Sequence, residues 1–298
     1  FFFKQKTAYE IVDCDWSSDV CSSDLTLLKL RVVELLIVTT IPAMFLAAKG
    51  FPDLKIALAT VIGGTLAAGS ANAFNMAIEV DRDRLMTRTA SRPTAQNLIS
   101  KKSSYIFAAV VGIISLAIFQ IFTNKLATLL TLFAIIFYVV GYTIILKPNT
   151  SQNIVWGGIA GCMPVLIGWA AIENKISLTA ILFFLVVFFW TPPHFWALAI
   201  KHKSDYVAAD FPMLPLVAKH KSVVFQLWFH SIGMSLVSLL LIFQAQLPTW
   251  CAVVTLILVL VWKKDLLNVS KELTMTMAAK LFQSSIRSEE HTSELQSQ

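Results

Sequence analysis

Eight apolar runs, roughly 32–48, 54–78, 105–122, 126–146, 154–172, 178–200, 223–247 and 249–262, succeed one another along the 298 residues with short polar connections between them. A helix needs about 20 predominantly apolar residues to cross the ~30 Å hydrocarbon core of a bilayer. One such run alone could be a buried helix of a large soluble protein. Eight in succession exclude that, because 56% of the residues are hydrophobic and 14% charged, with a mean hydropathy of +0.70, too little polar surface for a water-soluble globule. The apolarity is continuous, whereas barrel strands are about half as long and alternate lipid-facing with lumen-facing residues. The expected fold is all-α: a polytopic transmembrane helical bundle with eight helices in this chain.

Charge orients the bundle. Seventeen Lys and Arg residues fall on one set of connections: Lys29, Arg31, Arg82, Arg84, Arg88, Arg92, Lys101, Lys102, Lys147, Lys201, Lys203, Lys219, Lys221, Lys263, Lys264, Lys271 and Lys280. The other side carries four: Lys49, Lys55, Lys125 and Lys175. The positive-inside rule makes the first side cytoplasmic. The basic excess is therefore juxtamembrane, and no nucleic-acid partner is expected.

The two ends are foreign to this pattern. FFFKQKTAYEIVDCDWSSDVCSSDL, residues 1–25, has neither the apolar core nor the flanks of a signal peptide. RSEEHTSELQSQ, residues 287–298, is equally out of place. Both resemble translated sequencing-adapter read-through, so the domain is expected to span 26–286 and to be incomplete at its C-terminus. That core keeps twenty-one Lys and Arg against ten acids, a net of +11. Its two cysteines, Cys162 and Cys251, are solitary within apolar runs, which gives neither a disulfide framework nor a metal site.

Five of the ten core acids, Glu79, Asp81, Asp83, Asp205 and Asp210, sit on the two basic connections after the second and sixth runs. If the second helix persists, Asn75, Glu79 and Asp83 at spacing four share one face over ~12 Å, and Asp81 points elsewhere. Oxygen ligands ringed by Arg and Lys suit a metal bound together with a polyanion. Mg²⁺ prefers one or two carboxylates plus water and phosphate oxygens, and arginines can clamp the phosphates. The duller alternative is a solvated juxtamembrane loop whose arginines set topology or meet acidic lipid. Asn75 fits that alternative poorly, since it lies within the apolar run itself.

The pattern Asn75-x-x-x-Glu79-x-x-x-Asp83 resembles the NxxxDxxxD signature of the UbiA superfamily of membrane prenyltransferases. DRDRLMTRTASRP, from Asp81 to Pro93, is similar to the DxDxxMxRTxxRP of its haem-farnesylating branch. WTPPHFWALAIKHKSDYVAADFPMLPLV, from Trp190 to Val217, resembles that branch's second motif, and TSQNIVWGGIAGCMPVLIGWAA, from Thr150 to Ala171, its fifth helix. The sequence departs from the family in places. Glu79 stands where Asp is usual, and KLR at Lys29 to Arg31 replaces KPR. Pro148 and Asn149 replace basic residues, which puts an anion contact after the fourth helix in question. AAKLFQSSI, Ala278 to Ile286, looks like the start of a ninth helix cut off by the adapter-like tail.

The resemblance implies transfer of the farnesyl group of farnesyl diphosphate to a vinyl group of haem B, with water addition, giving haem O. It implies Mg²⁺ held by Asn75, Glu79, Asp83 and Asp205, with Arg88, Arg92, Lys201 and Lys203 on the diphosphate. His194 is the candidate for the haem side. It follows Pro192 and Pro193, which remove backbone donors and are expected to kink the helix, and it could ligate iron, meet a propionate or cap a freed carbonyl. His202, His220 and His230 receive no role from spacing. The expected location is a bacterial inner membrane with the active-site loops cytoplasmic. Candidate downstream partners are a haem A synthase or terminal oxidase assembly. Two other functions stay open: a UbiA-type enzyme prenylating an aromatic or quinone-precursor acceptor, and a transporter, which would show internal repeats and midplane polar residues.

Overall fold

In the computed structural model the described residues are 30–87, 89–271, 274 and 276–282. Residues 1–25 and 287–298, and Arg88 among the expected diphosphate ligands, lie outside them. Eight long helices correspond to the eight apolar runs: α1 Leu30–Ala48, α2 Leu54–Ile78, α3 Lys101–Phe122, α4 Lys125–Ile136, α5 Asn153–Glu173, α6 Leu178–Lys201, α7 His220–Gln244 and α8 Thr249–Lys271. α4 continues as a π-helix over Phe137–Leu146 and a last turn at Lys147–Asn149. No strand occurs among the described residues.

The helices start where local chemistry dictates. Asp53 accepts from the backbone N–H groups of Lys55 and Ile56 at the head of α2. Ser100, Asn124 and Ser177 cap α3, α4 and α6 in the same way, satisfying donors that have no partner within the helix. Asn174 ends α5 in the left-handed conformation, a backbone that Asn tolerates better than most residues.

Packing sorts the helices into interior and lipid-facing members. α5 lies against α1, α4 and α6, while α2 pairs with α3 and α6 with α7. In their most apolar windows α5 is 56% buried and α4 with its continuation only 11%. The outer faces carry exposed Ile113, Ile121, Leu236 and Phe243, large apolar side chains that suit lipid better than water. Small residues let the backbones approach. A Cβ on Gly168 of α5 would meet the Thr40 backbone oxygen of α1 at 3.0 Å, and one on Gly63 of α2 would meet the Phe119 ring of α3 at 2.9 Å.

Six helices among the described residues are long and apolar enough to cross a membrane: α2, α3, α4 with its continuation, α5, α6 and α7. The expected count of spans was eight. α1 offers the shorter apolar stretch Leu36–Ala48. α8 continues through Lys263, Lys264 and Asp265, so its apolar part, residues 249–262, rises only about 21 Å. Residues 276–282 are helical beyond it, with Ala278 and Leu281 fully buried.

Candidate active site

The second helix does carry its register through the acidic motif. Glu79 departs slightly from helical geometry as the cap of α2, yet its N–H donates to the Asn75 carbonyl at 2.9 Å and the Asp83 N–H to the Glu79 carbonyl at 2.8 Å. A short helical segment, Val80–Asp83, follows directly. Asn75, Glu79 and Asp83 are all buried, at 2%, 4% and 0% exposure. Asp81 faces outward, 77% exposed, next to Arg84 and Lys101. The expected shared face and the expected outlier are both present.

Each buried group of that face has its own partner. Lys147 donates to Glu79 Oε2 at 2.6 Å, Arg92 donates to both Asp83 oxygens at 2.7 and 2.6 Å, and Asn75 Nδ2 donates to Thr143 Oγ1 at 3.2 Å. Arg92 reaches back because the segment after Asp83 folds onto the end of α2. Thr89 Oγ1 donates to the Asp83 carbonyl, Thr94 Oγ1 to the Met76 carbonyl and Arg84 Nε to the Ala95 carbonyl. Lys147 and Thr143 come from the end of α4, so this face is completed by a helix distant in sequence.

The connection after α6 closes the arrangement from another direction. Asp205 is buried within the short helix Lys203–Ala208. Phe211, just beyond it, lies under two cations, with Arg82 Cζ 4.8 Å and Lys147 Nζ 4.5 Å from its ring centroid. The ends of α2, α4 and α6 thus meet at one end of the bundle. Lys201 and Lys203 are exposed, and the Lys201 ammonium rests over Phe282 at 5.8 Å.

Among the described residues no three His, Cys, Asp or Glu side chains are gathered closely enough to hold one ion by themselves. The carboxylates of Glu79 and Asp83 turn to separate cations, and Asp205 arrives on another element. α6 runs through Pro192 and Pro193, and His194 sits within a helical turn, stacked on Trp190 at 4.3 Å and near Phe282 at 4.5 Å.

Glu79 Oε1 is buried without a hydrogen-bond partner. A desolvated anionic oxygen left unsatisfied is costly, and a cation-bearing ligand would satisfy it, so the donor chemistry fits a divalent metal. Asn153 Oδ1, whose amide donates to the Lys147 carbonyl, is likewise buried and unpartnered. Sequence reasoning passed over Lys147, Thr143, Asn153 and Phe211. A lone Lys ending an apolar run reads as a topology mark, and only its placement at the same membrane level as Glu79 could have drawn notice.

The arrangement is one of buried carboxylates matched by half-buried cations at the mouth of an apolar bundle, the chemistry of a site that takes a polyanion with an apolar tail. The chain as a whole resembles known proteins. The chain is 50% identical over 217 residues to the protoheme IX farnesyltransferase of Streptomyces coelicolor, covering 73% of this chain and 69% of that protein. It is 50% identical over 218 residues to that of Renibacterium salmoninarum, covering 73% and 69%. Its fold matches a structure of digeranylgeranylglyceryl phosphate synthase with a TM-score of 0.79 at 15% identity, over 94% of this chain and 98% of the other. It also matches a UbiA homolog from Archaeoglobus fulgidus bound to GPP and Mg²⁺, with a TM-score of 0.65 at 17% identity over 89% and 99%. The model of the UbiA prenyltransferase family matches residues 36–286, and the chain belongs to that family.

Proposed function

We propose that the chain transfers the farnesyl group of farnesyl diphosphate to a vinyl group of haem B. The carbon–oxygen bond to diphosphate breaks, the vinyl π electrons form the new carbon–carbon bond, and water captures the resulting cation with loss of a proton, giving haem O and diphosphate. The half-identity to protoheme IX farnesyltransferases over most of the chain carries this reading above a UbiA-type enzyme for an aromatic or quinone-precursor acceptor.

Oxygens of Glu79, Asp83, Asp205 and Asn75 would hold Mg²⁺ together with water and the substrate's phosphate oxygens, which complete the oxygen shell that Mg²⁺ prefers. Mg²⁺ would act as a Lewis acid on the leaving diphosphate. Lys147 and Arg92, which hold Glu79 and Asp83 at 2.6 Å, exchange carboxylate for phosphate oxygens as the polyanion arrives, so the buried charge stays balanced. Arg88, Lys201 and Lys203 complete the expected basic rim. The apolar walls of the bundle take the isoprenoid tail and keep water from the allylic cation until the vinyl carbon reaches it. No side chain acts as a nucleophile.

His194 remains the candidate on the acceptor side. The lysine and arginine distribution supports cytoplasmic placement of these loops, the bacterial relatives support a bacterial inner membrane, and the reaction would stand upstream of a haem A synthase or terminal oxidase assembly. The test is direct. Membranes containing the protein, given haem B, farnesyl diphosphate and Mg²⁺, are expected to form haem O by mass spectrometry, and chelation of the metal to stop it. Prenylation of an aromatic acid with no haem O would favour the other acceptor class.

A further inference from the structure

Several charges around the acidic face are paired. Glu79 is matched by Lys147, Asp83 by Arg92, and exposed Asp81 by Arg84 and Lys101. Arg82, one residue before Asp83, makes no ion pair among the described residues. Its guanidinium instead lies 4.8 Å from the centroid of Phe211, the ring that also carries Lys147 at 4.5 Å. Two like charges repel, and the negative face of an aromatic ring offsets that repulsion for both.

Phe211 is built into this place. It is 3% exposed, and it follows Asp210, whose φ of 52 is left-handed, an uncommon backbone for a residue other than glycine. The turn lets the Phe211 N–H donate to the Tyr206 carbonyl at 3.0 Å and brings the ring back under the cations from α4 and from the segment after α2. A guanidinium seated on a ring can keep N–H donors for a bidentate oxyanion, and a positive charge with no ion-pair partner among the described residues attracts one.

We infer that Arg82 is a further diphosphate-binding residue, and that Phe211 is the positioning residue that holds it beside Lys147. The inference rests on the proposed reading of this site as a farnesyl diphosphate site. It gives the site a cation that is not tied to a carboxylate before substrate arrives, whereas Lys147 and Arg92 must first leave theirs.

The test uses the full chain in lipid nanodiscs with Mg²⁺, titrated with a non-hydrolysable farnesyl diphosphate analogue and, separately, with inorganic pyrophosphate. Arg82→Gln is expected to bind both about tenfold more weakly with an unchanged melting temperature, and Arg82→Lys to recover part of the loss. Phe211→Leu is expected to weaken binding and Phe211→Trp to restore it, because the ring face and not the bulk is what the cations use. In turnover, KM for farnesyl diphosphate should rise while KM for haem B stays. Wild-type affinity in Arg82→Gln, or equal affinity in Phe211→Trp and Arg82→Gln, overturns the inference and leaves the diphosphate reading standing. Failure of the unaltered protein to bind either probe overturns that reading, and this inference with it. If Phe211→Leu does not fold, the Arg82 and Phe211→Trp arms still decide.

Discussion

Lys147 Nζ stands 2.6 Å from Glu79 Oε2, joining a half-buried lysine to a buried glutamate 68 residues away. Neither would be tolerated alone at that depth, because an unpaired buried charge costs several kcal/mol. The pair therefore binds the end of α4 to the end of α2 and holds a carboxylate, still with one unpartnered oxygen, in the position where a metal and diphosphate are proposed to sit.

Removing one partner should show this. Lys147→Met leaves Glu79 uncompensated and is expected to destabilise the protein by about 3–5 kcal/mol, or to force Glu79 to bind a proton. The double variant Lys147→Met with Glu79→Gln should regain much of the stability and none of the analogue binding. Melting in detergent and analogue titration together check both halves. A double variant as unstable as the single would mean that Lys147 contributes packing and not charge balance.

Substitutions at the other carboxylates should separate chemistry from structure. Asp205→Asn is expected to abolish farnesyl transfer while the bundle stays folded. Asp83→Asn should abolish it too, with an added loss of about 3 kcal/mol, since Arg92 then loses a bidentate partner that is fully buried. Glu79→Asp restores the family's residue and should stay active, the flexible Lys147 stem following the shorter side chain. Turnover at the unaltered rate by either Asn variant at limiting Mg²⁺ would remove that carboxylate from the mechanism.

His194 is packed between Trp190 and Phe282, so a polar replacement would test packing and chemistry at once. His194→Phe keeps the aromatic stack and removes the ring nitrogens, with a ring one atom larger. It is expected to melt near the unaltered protein, to bind the farnesyl diphosphate analogue normally, and to bind haem B more weakly with a shifted Soret band. An unchanged haem spectrum and affinity would take His194 out of the acceptor site and leave it as a packing residue of α6.

Gly168 tests how closely α1 and α5 must approach. An added Cβ would stand 3.0 Å from both the Thr40 carbonyl oxygen and its methyl carbon. Backbone cannot give way as a flexible side chain can, so Gly168→Ala is expected to cost about 1–3 kcal/mol, read as a lower melting temperature. Gly64→Ala, where a Cβ meets nothing within 4 Å, should be close to neutral and serves as the control.

The sequence by itself determined what depends on spacing along one helix and on solvent preference. Continuous apolar length specifies helices in lipid, because backbone polar groups must be satisfied within the segment. The spacing of Asn75, Glu79 and Asp83 placed them on one buried face, since 3.6 residues per turn leaves no other arrangement while the helix lasts. Only the tertiary structure decided which cation meets which acid. Lys147 was indistinguishable in sequence from a lysine snorkelling to the interface, and its partnership with Glu79 exists because α4 ends beside α2. Arg92 and Arg82 sit in the same arginine-rich stretch, yet the fold-back after Asp83 gives one a carboxylate and the turn at Asp210 gives the other an aromatic ring. Nor did spacing reveal which counter-charge each carboxylate would take, because that balance depends on side chains brought together by helix crossings and not by order in the chain.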